Sequence, residues 1–348
     1  MTIARKDIVS TEENGMYHCM SRCVRQSYLC GYSNLTHKSY EHRRDWVRNL
    51  IKKASEIFMI DVLSYAVMNN HYHILIKTKY DELAELSDLE VAYRWWRLHP
   101  KRYVGIVKGA EPTEEELKYI ITITNMVSVW RERLGDVGWF MKSINEPLAR
   151  RANKEDNCTG RFWEGRYKCQ YIADEAALLK CSMYIELNPI RAKIADTPEN
   201  SEFTSIYDRI KTNEAKKKRS ELKAKKITIN AEDYAKLKKE LWQDAWLAPL
   251  CNDGKKKGLL PLEFKEYIEL LEWTGRELRE DKRGAISSSL KPILERLKLK
   301  TDGWVESMTN FRKVFHRTIG SEESLISLAP KYNKNWIQGL GAARRNFC

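Results

Sequence analysis

The sequence predicts an α+β fold: a ferredoxin-like domain with an antiparallel sheet and a helical insertion, followed by a mostly α-helical C-terminal domain. Three observations lead there. IDVLSYAVM (60–68) and HYHILIKT (71–78) are bulky, strand-forming runs separated only by Asn69-Asn70. Asn tolerates the positive φ that tight turns demand, so the two runs form a hairpin. Ahead of them, residues 41–58 place Trp46, Val47, Leu50, Ile51, Ala54 and Ile57 on one helical face. After a long helical stretch, RYKCQYIA (166–173) reads as another strand leading into a helix. Strand, helix, strand, strand, helical insert, strand, helix is the order of a ferredoxin-like unit.

Each element has its own justification. GMYHCMSRCV (15–24) alternates apolar and polar residues, as a strand covered on one face does. From about 79 to 157 the periodicity is helical, with helices predicted over 81–98, 113–134 and 137–153. Asp174 caps a helix that runs to about Leu187 and stops before Pro189. These elements make up a first domain, 1–210. The stretch KTNEAKKKRSELKAKK (211–226) is charge-dense and nearly free of large apolar residues. It reads as a basic linker over 211–227 or as a solvated basic helix. Residues 228–348 form the second domain, with helices predicted over 231–246, 261–279, 288–298 and 304–319.

Composition narrows the function. With 43% hydrophobic residues, 348 residues can bury a sizeable core, and the net charge of +13 favours a polyanionic partner, nucleic acid before membrane. No apolar run reaches the ~18–20 residues that span a bilayer, and the opening MTIARKDIVSTEENG lacks the apolar stretch of a secretion signal. A cytoplasmic, nucleoid-associated protein is the expectation. None of the cysteines at 19, 23, 30, 158, 169, 181, 251 and 348 forms a CxxC pair, so all are expected to be reduced thiols.

The residues that carry chemistry are few. His71 and His73 stand at i and i+2 on a strand and therefore share one face, while Tyr72 points the other way. Two imidazoles on a rigid hairpin can supply two metal ligands; by themselves they fit two polar sheet residues equally well. Tyr184 and Asn188 lie at i and i+4 on a later helix and face the same point. Asn188 brings an oxygen that, beside two imidazoles, suits Mg²⁺ or Mn²⁺. Taken singly, Tyr184 reads as core and Asn188 as a helix C-cap. His18, His37, His42, His99 and His316 have no ligand-like partners in sequence and are read as structural.

Together these segments resemble a known family. MNNHYHILI resembles the HUH motif of the single-tyrosine transposases, and GRFWEGRYKCQYIADEAALLKCSMYIELNPIRA (160–192) resembles the block around their catalytic tyrosine. The branch in question is the REP-associated tyrosine transposases. The resemblance covers about 15–207 well and 228–348 more loosely. It implies an HUH fold, His71, His73 and Asn188 as ligands of Mg²⁺ or Mn²⁺, and Tyr184 as nucleophile. It also implies single-stranded or hairpin DNA, such as a repetitive extragenic palindrome, as substrate, with DNA transposition as the outcome. Asn69 stands where the family usually has Pro, which loosens the turn without removing a ligand. Residue order separates the sister groups. Relaxases place the tyrosine before the histidines, and Tyr17, the residue that would serve, reads as structural. Rolling-circle initiators usually carry lysine where Asn188 stands.

Arginine makes bidentate phosphate contacts and tryptophan stacks on bases. The expected DNA contacts are accordingly Arg22, Arg25, Arg161, Trp163, Arg166 and Lys168 near the site. In the C-terminal part, Arg276, Arg279, Lys282 and Arg283 form an aromatic-basic cluster with Trp273. The run Lys216–Arg219 and the pair Arg344–Arg345 add charge. A monomer or a homodimer is expected. Two other functions compete: a hairpin-DNA-binding protein that does not cut, and a metal-dependent phosphohydrolase that uses water as nucleophile.

Overall fold

Residues 9–10, 13–24, 29–33, 37–250, 262–278, 299–300, 302–331 and 337–347 are described by the computed structural model. Its sheet is built around the predicted hairpin. β1 (Met16–Arg22), β4 (Ile60–Val67), β5 (His71–Thr78) and β6 (Lys168–Ile172) fall within the runs read from the sequence. Two short strands, β2 (Tyr32–Ser33) and β3 (Lys38–Ser39), pair separately. The main sheet runs β4-β5-β1-β6-β7, where β7 is Thr318–Ile319 from the C-terminal part. All its pairings are antiparallel except β6 with β7. Because β5 lies between β1 and β4, those two strands are parallel and α1 (Arg43–Ile57) crosses over between them, the split arrangement of a ferredoxin-like unit.

The hairpin turn forms by a different means from the one expected. Met68 N–H donates to His71 O at 2.8 Å, closing a two-residue loop. Neither Asn69 nor Asn70 has positive φ. The asparagines serve as hydrogen-bonding groups: Arg44 of α1 donates to Asn69 Oδ1 at 2.7 Å, and Cys30 and Cys23 N–H donate to Asn69 O and Asn70 O at 2.9 and 3.0 Å. The side-chain bond to Asn69 ties the turn to α1, a tie that proline could not make.

Strand alternation separates two apolar clusters. Tyr17 and Cys19 of β1 and Tyr72, Ile74 and Ile76 of β5 pack with Val47, Ile51 and Ala54 of α1 and with α6 (Val137–Glu155). Leu75 and Ile172 point the opposite way, onto α7 (Glu175–Glu186). A register shift between Val62 and Ser64 turns two successive β4 residues toward α7: Leu63 joins its cluster, and Ser64 bonds Ser182 at 2.5 Å. Helices therefore cover both faces: α1 and α6 lie on one side of the sheet and α7 on the other.

The insertion divides further than its periodicity suggested. It holds α2 (Tyr80–Glu85), α3 (Asp88–Leu98), α4 (Glu114–Thr124), α5 (Val127–Gly135) and α6. Ser87 and Thr113 cap α3 and α4. α6 braces the sheet: Asn145 accepts from Tyr72 Oη at 2.6 Å and donates to Ser21 Oγ at 2.9 Å. The residue between the two histidines is thus pinned from behind.

The basic stretch is helix rather than linker. After the short α8 (Asn188–Arg191), α9 (Ser205–Ala224) runs through Lys216–Arg219 without a break. Its N-terminal half is buried: Asp208 accepts from Tyr65 Oη at 2.7 Å and pairs with Arg48 at 2.9 Å. Its C-terminal half is largely solvated, because past Ala215 it is mostly charged and Leu222 is its one large apolar residue.

The C-terminal part shares its core with the first domain. Beyond α10 (Ala231–Glu240), Tyr267 of α11 (Phe264–Glu277) donates to Ser182 Oγ at 3.0 Å, and Trp273, Trp304, Phe311, Phe315 and Phe347 pack with α7. The helix expected over 304–319 is two short ones, Asp302–Thr309 and Phe311–Val314, followed by β7. The helix expected over 288–298 lies outside the described residues.

Lys180 of α7 is fully buried in this seam. Its Nζ donates to Asn346 Oδ1 at 2.7 Å and lies 5.1 Å from the Trp304 and Phe347 rings. Burial lowers its pKa to about 7. A lysine with a lowered folded-state pKa binds fewer protons folded than unfolded, so stability rises with pH above about 7, toward the ordinary value of 10.5. Lys180→Met is therefore expected to be most favourable relative to wild type below pH 7. That advantage shrinks by up to about 1.4 kcal/mol per pH unit above it. Urea unfolding of both proteins between pH 6 and about 9.5 checks this; a gap that does not change with pH contradicts it.

Candidate metal and tyrosine site

The alternation that sends Tyr72 toward α6 sends His71 and His73 to the α7 face. Their rings meet edge to face with centroids 4.9 Å apart. β1 contributes a third imidazole. Met20 pairs with His73 and His18 with Leu75, so His18 is the diagonal same-face neighbour of His73. His18 Nε2 and His73 Nδ1 are 2.8 Å apart. On the far side, β6 places Gln170 directly opposite His18, with Oε1 2.7 Å from Nδ1. Sequence reading set His18 aside as structural; the structure puts it at the centre of the site. Its signal was its place on a strand that alternates Tyr17, Cys19 against His18, Met20, but only the register shows what it meets.

α7 lies across this face. Asp174 caps it, accepting from Ala177 N–H at 2.8 Å. Near its other end the Tyr184 ring stands 5.7 Å from His73 and 6.1 Å from His18. Asn188 follows one turn later, and its Nδ2 donates to Tyr184 O at 2.8 Å. That bond uses the amide nitrogen and leaves Oδ1 as an acceptor. The structure thus brings His71, His73 and Tyr184 together, with Asn188 on the adjoining turn.

The electrostatics suit a ligand site. Burial lowers the pKa of His71 to about 3, reinforced by Arg312 and Arg22. Burial lowers His18 to about 4 against the pull of Gln170, with Arg312 adding to the fall. His73 is driven down by burial and then by its neighbours His71 and His18. All three imidazoles are therefore neutral at neutral pH, the form that binds metals. His73 Nε2 is fully buried and has no hydrogen-bond partner. An orphaned ring nitrogen is costly in a protein interior unless something is there to take its lone pair. Among the described residues, no three His, Cys, Asp or Glu side chains form a metal cluster. A two-imidazole site would need a neutral oxygen such as Asn188 to complete it. Neutral imidazoles and an amide oxygen are donor types that divalent ions accept.

Three further residues at the site were missed by sequence. Phe311 stacks on the Tyr184 ring at 4.0 Å and 11°, leaving Tyr184 only 5% exposed. Arg312, next in the chain, contacts Met20 Sδ and lines a cleft of about 260 Å³ with His18, Lys168, Gln170 and His316. Arg191 lies over the Tyr184 ring at 5.2 Å and donates to Thr309 O at 2.8 Å. Its spacing of i+7 from Tyr184 was a legible signal; nothing local marked Phe311 or Arg312.

The expected DNA contacts divide. Arg161, Arg166 and Lys168 are exposed. Arg22 is also exposed; it pairs with His71 across the sheet and faces Glu164 at 3.6 Å. Trp163 is half-buried on the other side of the sheet, donating to Asn145 O at 2.9 Å with its ring against Tyr72. Arg276 is exposed on α11, whereas Trp273 beside it is core. Arg25, Arg279, Lys282 and Arg283 lie outside the described residues.

No protein-family model matches the chain, and no curated protein matches it. Among solved structures, that of a REP-associated tyrosine transposase bound to a REP hairpin aligns at 11% identity with a TM-score of 0.35, over 60% of this chain and 84% of that one. At that score the likeness carries no assignment. What stands is an α+β fold in which, among the described residues, no helix is long and apolar enough to cross a membrane.

Phe311 is 1% exposed and is held between Tyr184 and Phe315. Phe311→Ala is expected to cost about 3 kcal/mol and Phe311→Leu clearly less, since the loss scales with the cavity left behind. Urea unfolding checks this. Equal, negligible losses in both variants would mean the ring does not hold Tyr184 in place.

Proposed function

We propose that this protein is a metal-dependent, single-tyrosine nuclease and strand transferase that acts on single-stranded or hairpin DNA. One observation carries the reading: His73 presents a buried, unpartnered Nε2 beside His71, with the phenol of Tyr184 against the same ring. The hairpin substrate rests on the sequence resemblance of MNNHYHILI and of residues 160–192, and so does the role in transposition.

His71, His73 and Asn188 would hold Mg²⁺ or Mn²⁺. Bound there, the ion would offset the negative charge of a phosphodiester and polarise its phosphorus. Every other part belongs to the chain. The Arg191 and Arg312 guanidinia add positive charge where a phosphate would sit. The Tyr184 oxygen forms a bond to phosphorus as the bond from phosphorus to the 3′ oxygen breaks. The leaving pair of electrons stays on that oxygen, and the phenolic proton is balanced by the 3′-OH produced. The product is a 5′-phosphotyrosine, which keeps the energy of the broken ester, so attack by a 3′-OH rejoins a strand without ATP. Exposed Arg22, Arg161, Arg166 and Lys168 would track the backbone.

One observation favours the second reading, a hairpin-binding protein that does not cut: Tyr184 is covered by Phe311. A single experiment separates the two. Labelled single-stranded hairpins are incubated with Mg²⁺ or Mn²⁺ and assayed for a denaturant-resistant protein–DNA adduct. The adduct is expected with metal, and to be absent with chelator, in Tyr184→Phe and in His71→Ala; Asn188→Ala is expected to demand more metal for the same yield. Binding by all proteins with no adduct from any establishes the binding module. Cleavage without an adduct establishes water as the nucleophile.

A further inference from the structure

The metal-facing nitrogen of His73 is chosen from the far edge of the sheet. Gln170 Nε2 donates to two backbone carbonyls, Phe315 O at 2.8 Å and His316 O at 2.7 Å. Carbonyl oxygens only accept, so the amide nitrogen of Gln170 must face them and its oxygen must face His18. His18 Nδ1 therefore carries the proton and donates to Gln170 Oε1 at 2.7 Å. A neutral His18 then has a bare Nε2, which can only accept. Across 2.8 Å, His73 Nδ1 must be the donor. That leaves the lone pair of His73 on Nε2, the buried atom without a partner. Each step follows from the one before, and the chain crosses β7's approach, β6, β1 and β5 on one face of the sheet.

We propose that His18 and Gln170 are positioning residues that lock His73 in its Nδ1–H tautomer and so keep Nε2 bare for a divalent metal, with the carbonyls of Phe315 and His316 as the anchor of the relay. This deepens the nuclease reading and rests on it for the identity of the metal. A metal-bound histidine whose other ring nitrogen is hydrogen-bonded is held in orientation as well as in tautomer. Here the holder is a second histidine, itself oriented by an amide, and the anchor is a C-terminal segment that joins the sheet only at its edge. Without the relay, His73 is free to place its proton on Nε2, where it blocks coordination.

The test begins on the metal-free, full-length protein, with long-range ¹H–¹⁵N correlation of the histidine rings near neutral pH. Both His18 and His73 are expected as Nδ1–H tautomers with unprotonated Nε2. In Gln170→Leu and His18→Phe, His73 is expected to shift toward the Nε2–H form, and Mn²⁺ affinity, read by calorimetry, to fall by about 10- to 100-fold. An Nε2–H tautomer of His73 in the wild type overturns the proposal, and this needs no variant to fold. Unchanged tautomer and Mn²⁺ affinity in a folded His18→Phe also overturn it. The ring spectra do not depend on cleavage: a protein that forms no DNA adduct yet shows both Nδ1–H tautomers loses the nuclease reading and keeps the relay.

Discussion

The register of β1 against β5 is the constraint on which the site depends. Pairing Met20 with His73 and His18 with Leu75 sets three imidazoles on one face of the sheet, and a slip of one residue would send His18 into the α1 layer. Two features hold that register. Tyr17 and Cys19 on the opposite side of β1 are fully buried against α1 and α6, so a slip would also expose them. Asn145 of α6 bonds Tyr72 and Ser21 from behind, and those two residues are themselves cross-strand partners. The helical insertion, which has no evident role in sequence, is thus what keeps the histidine strand in place.

Much of this architecture was legible because it is local. The hairpin, α1, β6 and α7 follow from apolar periodicity and caps, and spacing within single elements puts His71 on the same face as His73 and Tyr184 one turn from Asn188, while the roles proposed for them rest on the resemblance. What was not legible depends on contacts between distant segments. His18 is one polar residue in a short strand until β6 and β5 flank it. Gln170 gains meaning only when residues 315–316 reach its amide. Trp163 illustrates the converse: an aromatic between basic residues reads as a base-stacking side chain, yet its indole is bonded to α6 and its ring packs on Tyr72. The turn at Asn69-Asn70 was located correctly for a reason that does not apply, since its asparagines act through hydrogen bonds and not through backbone conformation.

Of the two readings of the basic stretch, linker or solvated basic helix, the structure shows the helix, and the C-terminal part packs against the first domain. α9 spans the presumed linker, and the segment beyond it supplies a strand to the sheet, aromatic rings around Lys180 and the two carbonyls that orient Gln170. The charge density that suggested a linker belongs to the solvated half of a helix whose other half is core. Composition reports what a segment cannot bury, and a helix that leaves the core midway looks like a linker over its second half.

This dependence has a consequence for reactivity. The residues from Phe311 to His316 do three things in six positions: Phe311 covers the Tyr184 ring, Arg312 lies by the imidazoles, and the Phe315 and His316 carbonyls hold Gln170. On the proposed reading the Tyr184 oxygen has to meet a phosphorus, and the Phe311 stack that leaves the residue 5% exposed limits the directions from which a strand can approach it. The carbonyls, by contrast, have to stay for the relay to persist. The chain entering β7 is held to β6 where Tyr171 N–H donates to Arg317 O, so the two carbonyls stand next to a segment fixed by the sheet. On that reading, shaping the approach to Tyr184 and keeping His73 oriented are separate tasks of one short segment, and the sheet hydrogen bonds beyond His316 hold the second in place.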